Sequence, residues 1–188
     1  MFSKYKLFSM IMSAMFLAIA MILPFLTGQI PQIGNALCPM HLPVLLCGFF
    51  CGPVYGLVIG MIAPVLRFFV FGMPPLLPSG IGMMFELGTY GLTSGLLYKI
   101  LPKNKGNIYL SLICSMIIGR IIWGVSRVVL LSLGNYEFSW TAFIAGAFLN
   151  AIPGIIVQLV LIPILIIAIE NLYFEKNFFE VADSSKWH

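Results

Sequence analysis

The stretch IIGRIIWGVSRVVLL, residues 117–131, is apolar enough to cross a bilayer, yet it carries Arg120 and Arg127. An arginine at the centre of a membrane helix costs at least about 2.5–3.5 kcal/mol on insertion scales. The two arginines are seven positions apart, so on a helix they lie on one face, about two turns from each other, with Trp123 between them. A helix that carries this cost twice on one face is expected to turn that face away from lipid.

The composition of the whole chain agrees with this interpretation. Of its 188 residues, 61% are hydrophobic and only 9% are charged, whereas soluble domains are about 45–50% apolar and about 25% charged. A domain of this size cannot bury so much apolar surface, so the sequence predicts an all-α integral membrane protein with the lipid bilayer as its solvent. The four cysteines lie in apolar runs without the spacing of metal ligands. We therefore expect no metal, no cofactor and no nucleic-acid partner.

Six apolar segments predict a single membrane domain over residues 1–188, a six-transmembrane-helix bundle followed by a cytoplasmic tail at 170–188. The predicted helices are residues 7–26, 38–51, 54–71, 80–100, 108–132 and 140–169. All seven lysines lie near the ends of these segments. If the N-terminus is inside, the lysine-bearing ends and loops are all cytoplasmic and the outer connections carry no lysine, as the positive-inside rule requires. Both termini are therefore predicted to be cytoplasmic.

Ionisable side chains within the spans concentrate in the outer half of the predicted bundle. Arg67 lies late in the third segment and Glu86 early in the fourth, while Asn150 is at middle depth in the sixth. Three arginines, with Arg120 and Arg127 included, face one glutamate, which leaves a surplus of two positive charges. An anionic ligand would complete the site, most naturally a carboxylate held by arginine. Alternatively, the arginines bond to backbone carbonyls, to water or to Glu86 alone.

Three further side chains belong to the same predicted site. Tyr90 follows Glu86 by four positions and shares its helix face. Trp123 is too deep for an interfacial aromatic belt, which makes it a candidate stacking partner. His41, at the outer start of the second segment, is either a ligand contact or a capping or interfacial histidine. The candidate substrate-binding residues are therefore Arg120, Arg127, Glu86, Asn150, Trp123, Arg67, Tyr90 and His41.

Sequence motifs for catalysis are absent. The chain contains no HExxH, GxSxG or Walker A motif and no acidic Mg²⁺-binding repeat. We therefore predict no intrinsic catalytic activity, and a transporter this small would need a partner to supply energy. Two remote alternatives remain open: a membrane enzyme acting on a lipid or prenyl group, and a non-transport membrane protein whose arginines only pair internally.

Three features of the sequence carry a family resemblance. They are Ala14 and Ala18 in small-xxx-small spacing within SAMFLAIA, the turn CGFFCGPVYGLVIG at 47–60, and the polar outer loop before the second helix. With these features the chain resembles the S component of energy-coupling factor (ECF) vitamin transporters. The resemblance implies a multi-pass protein of the bacterial cytoplasmic membrane that captures a vitamin in an outer cavity. It also implies that Ala14 and Ala18 dock a membrane coupling subunit, whose module carries two ATPase subunits, and that the S component topples to deliver the vitamin.

Two longer stretches suggest the ligand. PMHLPVLLCGFFCGPVYG, followed by RFFVFGMPPLLPSGIGMMFELGTYGLTSGLLYK, resembles S components for pantothenate. The charge arithmetic agrees, because pantothenate is a monocarboxylate with hydroxyl and amide groups, whereas cationic thiamine would fit surplus arginine poorly. Pyridoxine or hydroxymethylpyrimidine, folate-like and queuine-like ligands remain alternatives.

Overall fold

The computed structural model describes residues 4–26, 37–102, 104–133 and 152–184, and this part of the chain is all-helical, as predicted. Its α-helices are α1 (Lys4–Leu26), α2 (His41–Cys51), α3 (Pro53–Phe71), α4 (Ile81–Ile100), α5 (Lys105–Leu133) and α6 (Ile152–Ser184). Each predicted segment overlaps one of these helices, although α1 and α5 each begin three residues earlier than predicted and α6 continues past residue 169 to Ser184, into the predicted tail. The first part of the sixth segment, up to residue 151, lies outside the described residues.

Four of the described segments are long and apolar enough to cross a membrane: Lys6–Leu26, Pro53–Phe71, Lys105–Ser132 and Ile152–Ile169. Large apolar side chains point outward along them, for example Ile22, Phe69 and Ile121, which are 59–73% exposed. Such surfaces are unfavourable in water and suit lipid. The chain is therefore a multi-pass membrane protein, while the count of six spans and the cytoplasmic position of both termini stay predictions.

Helix α4 occupies the centre of the described bundle, because it packs against α2, α3 and α5. Its buried residues include Glu86, Ser94 and several glycines. A helix shielded by its neighbours does not have to present apolar side chains all around, and polar groups within a bundle face its interior. This central position is what places Glu86 away from lipid.

Glycine allows α3 and α4 to approach closely. A Cβ added at Gly56 of α3 would collide with the backbone of Gly91 in α4, and the reverse substitution would collide with Gly56. At Gly60 the added atom would meet the backbone of Leu87 and Gly88. Small residues permit this contact between membrane helices. The α3–α4 pair thereby forms a closely packed support behind the site.

Two connections bring polar residues towards α4 and α5. Gly52, with φ 97°, separates α2 from α3, a backbone conformation that L side chains rarely adopt. The turn lets the short α2 lie beside α4 with His41 at its first residue. Between α3 and α4, the irregular segment Leu76–Gly80 has Leu77 in an extended conformation. This segment carries Ser79 to Arg127 of α5.

Candidate functional site

Glu86 is the centre of a buried polar cluster that joins α2, α4 and α5. Its side chain is only 2% exposed, and three groups approach its Oε1 atom. The hydroxyl of Tyr90 donates a hydrogen bond at 3.1 Å, and Nη1 of Arg120 lies at 3.2 Å. Nε2 of His41 lies at 3.4 Å, in a geometry that makes no hydrogen bond. We call His41, Glu86, Tyr90 and Arg120 the Glu86 cluster.

The cluster depends on the register between α4 and α5. Tyr90 lies one turn after Glu86, so both side chains leave α4 on the same face. On α5, Gly119 faces the ring of Tyr90, and an added Cβ at this position would collide with that ring. The next residue, Arg120, reaches Glu86. Because Gly119 has no side chain, the ring of Tyr90 and the ion pair between Arg120 and Glu86 fit at the same level of the bundle.

Arg120 links α5 to Glu86 and to Cys38. Besides pairing with Glu86, its Nη2 atom lies 3.8 Å from Sγ of Cys38, which precedes α2 and has a positive φ of 47°. Its Nε atom is buried and has no hydrogen-bond partner within the described part of the chain. A buried cation is tolerated when an opposite charge and hydrogen bonds accompany it. Glu86 supplies that charge, so Arg120 and Glu86 together are close to neutral.

Arg127 continues the same face of α5 two turns further along. Its Nη1 atom donates to Oγ of Ser79 at 3.2 Å, and its guanidinium carbon lies 5.4 Å from the centroid of the Trp123 ring. Trp123 itself is buried and adjoins Gly82 of α4. Glu86 is the one acidic residue among the described side chains. The charge of Arg127 thus has no acidic partner in the described structure.

Arg67 lies apart from the other two arginines, between α1 and α3. Its Nη1 atom donates to the backbone oxygen of Met21 at 2.7 Å, and its guanidinium lies over the rings of Phe25 and Phe71, at 5.4 and 5.3 Å. These contacts tie α1 to α3. The structure does not bring Arg67 into the Glu86 cluster, although the sequence placed it in the same outer half.

The structure thus brings some of the predicted site residues together, whereas others lie apart from them or outside the described residues. His41 is buried against Glu86 and makes an edge-to-face contact with the ring of Tyr90, so it is not an interfacial histidine. Asn150 lies outside the described residues. Sequence reasoning did not single out Cys38 or Ser79. Neither residue lies in a recognisable motif, and only tertiary packing brings each of them to an arginine.

Two other features concern metals and partners. The described residues contain no group of three or more His, Cys, Asp or Glu side chains able to hold a metal ion. On α1, Ala14 and Ala18 are exposed, whereas Ser13, Phe16 and Ala20 are buried against the bundle. The small-xxx-small pair therefore faces outward, on the side of α1 opposite to its packing face.

In membrane proteins, buried ionisable residues like those of the Glu86 cluster usually mark a path or site for a substrate or ion. Comparison with protein families identifies the family. The model of the family described as "ECF transporter, substrate-specific component" matches residues 8–166. The chain therefore belongs to this family of transport-binding subunits. No curated protein and no solved structure gives a significant match.

Proposed function

We propose that this chain captures a vitamin with a carboxylate group, most naturally pantothenate, for an ECF-type importer of the bacterial cytoplasmic membrane. The observation that carries this proposal is the division of roles between the two arginines of α5. Arg120 is balanced by Glu86 at 3.2 Å. Arg127 is held by a hydroxyl and an aromatic face, neither of which carries a negative charge.

A carboxylate is the natural complement of this arrangement. A guanidinium presents a planar fork of N–H donors that matches the two oxygens of a carboxylate. Trp123 covers one side of the guanidinium of Arg127, and such cation–π contacts position an arginine without neutralising it. We assign the carboxylate contact to Arg127, with Arg120 as a positioning residue that holds Glu86. Asn150, in the sixth predicted segment, stays a predicted contact.

The partner surface follows from the exposed pair on α1. Ala14 and Ala18 leave a smooth groove, and such grooves let a second helix approach closely. We propose that the membrane coupling subunit docks there and that its two ATPase subunits supply the energy, since the chain carries no nucleotide-binding motif. The ligand and the partner then use different faces of the bundle, the α4–α5 interface and the outer side of α1.

A thermal-shift screen of the purified full-length chain against B vitamins tests this proposal. We expect pantothenate to raise the midpoint of thermal unfolding, because a ligand that binds only the folded state stabilises it by about 2.7 kcal/mol at a concentration of 100 times Kd. Thiamine, which is cationic, is the matched negative control. Stabilisation by thiamine without any effect of carboxylate-bearing vitamins would contradict the assignment of an anionic ligand.

A further inference from the structure

His41 is the member of the Glu86 cluster with two buried ring nitrogens that make no hydrogen bond within the described residues. Its side chain is 3% exposed, and neither ring nitrogen has a hydrogen-bond partner within the described part of the chain. Oε1 of Glu86 already accepts a hydrogen bond from the hydroxyl of Tyr90 and forms an ion pair with Arg120. One carboxylate oxygen offers about two lone-pair positions, so the third group, Nε2 of His41, is left with an electrostatic contact only.

The groups around His41 decide which of its ring nitrogens can still bond. Nε2 faces Oε1 of Glu86, and the ring makes an edge-to-face contact with Tyr90. Arg120 of α5 pairs with the same oxygen of Glu86, and the backbone N–H of His41 donates to the backbone oxygen of Cys38. The carboxylate oxygen favours the tautomer with its proton on Nε2. Nδ1 of His41 is then a buried acceptor.

We propose that Nδ1 of His41 accepts a hydrogen bond from a hydroxyl group of the bound anion, and that the site thereby selects hydroxylated carboxylates. A buried acceptor without a partner costs about 1–3 kcal/mol, and an O–H donor relieves that cost. This inference rests on the proposed function, because it assumes that the ligand's carboxylate lies at Arg127.

The separation of the two anchor points defines the ligand further. Arg120, whose partner Glu86 contacts His41, is seven residues from Arg127, or about 10 Å along the helix axis. A ligand that reaches both points is extended, with its carboxylate at one end and its hydroxyl at the other. Pantothenate has this arrangement, with its amide between them. The two anchor points thus agree on one chemical class, an extended carboxylate with a hydroxyl group at its far end.

The test compares pantothenate with its dideoxy analogue, in which both hydroxyls are replaced by hydrogen, by titration calorimetry on the purified full-length chain. We expect the wild type to prefer pantothenate by about tenfold, which corresponds to about 1.4 kcal/mol. His41→Phe keeps a ring and removes both ring nitrogens, including the acceptor at Nδ1, so the preference should disappear. His188→Phe, at the chain's other histidine, should leave the preference unchanged.

The outcomes separate this inference from the proposed function. Equal affinities of the wild type for both ligands would overturn the role of His41 and leave the carboxylate assignment standing. If the wild type bound neither ligand, the proposed function would fail and this inference with it.

A second measurement does not depend on a variant that folds. In protein labelled with ¹⁵N-histidine, with His188→Gln used for assignment, Nδ1 of His41 should be unprotonated. Its resonance should shift with pantothenate and not with the dideoxy analogue. A protonated Nδ1 in the ligand-free protein would overturn the inference.

Discussion

At the scale of single residues, the site is governed by one buried carboxylate and two arginines in different situations. Glu86 gathers a tyrosine, a histidine and Arg120 around one oxygen atom, whereas Arg127 has contacts but no opposite charge in the described structure. A sequence can count these charges, but only the packing shows which cation is already balanced. The distinction decides which arginine is available to an anion.

The coupling of Glu86 and Arg120 gives a prediction about stability. Glu86→Gln should leave Arg120 as a buried charge without an acidic partner, and breaking a buried pair in this way costs about 3–5 kcal/mol. In the double variant Glu86→Gln, Arg120→Gln, both charges are gone and part of the loss should be recovered. Thermal unfolding of the four proteins in detergent measures this double-mutant cycle. Strictly additive losses would show that the two side chains do not interact.

At the scale of helices, the sequence was sufficient for much of the fold. Apolar runs indicated where helices lie, since a chain in lipid must satisfy its backbone within each segment. The sequence also predicted correctly that Glu86 and Tyr90 share a face, because that follows from helical spacing alone. The sequence did not predict that Arg67 lies apart from Glu86, because their separation depends on how α1, α3 and α4 pack side by side. Depth in a membrane is readable from sequence, whereas lateral position is not.

The α3–α4 contact gives a prediction at this scale. Gly91→Ala should destabilise the protein, because the new methyl group would collide with the backbone of Gly56, which cannot move without separating the helices. Gly106→Ala in α5 is the matched control, since an added Cβ there meets nothing within 4 Å. In a helix interior, alanine is otherwise favoured over glycine by up to about 1 kcal/mol. A Gly91→Ala variant as stable as the Gly106→Ala variant would contradict the close contact.

At the scale of the whole molecule, the proposed ligand site and the proposed docking pair occupy separate surfaces. The Glu86 cluster lies between α2, α4 and α5, while Ala14 and Ala18 are exposed on α1. Substitutions on α1 are therefore expected to affect transport without affecting capture. This separation suits a binding subunit that needs an external source of energy.

Replacing both alanines with leucine should test the docking surface. The Ala14→Leu, Ala18→Leu variant should keep pantothenate binding in detergent but lose uptake in cells that contain the coupling module, because bulk would fill the groove. Val58→Phe with Ile62→Phe is a matched control, since these residues are exposed at the same spacing on α3. The control should retain uptake. Full uptake by the leucine variant would place the docking surface elsewhere.

The central claim is that Arg127 binds the carboxylate of a captured vitamin, and equilibrium binding of radiolabelled pantothenate to the purified chain tests it most directly. Removing one partner of a buried charge pair costs about 2 kcal/mol or more, so Arg127→Ala should bind at least about thirtyfold more weakly than the wild type. Lys99→Ala, which removes an exposed cation at the end of α4, should bind like the wild type. Unchanged affinity in Arg127→Ala, with binding intact in the wild type, would contradict the claim.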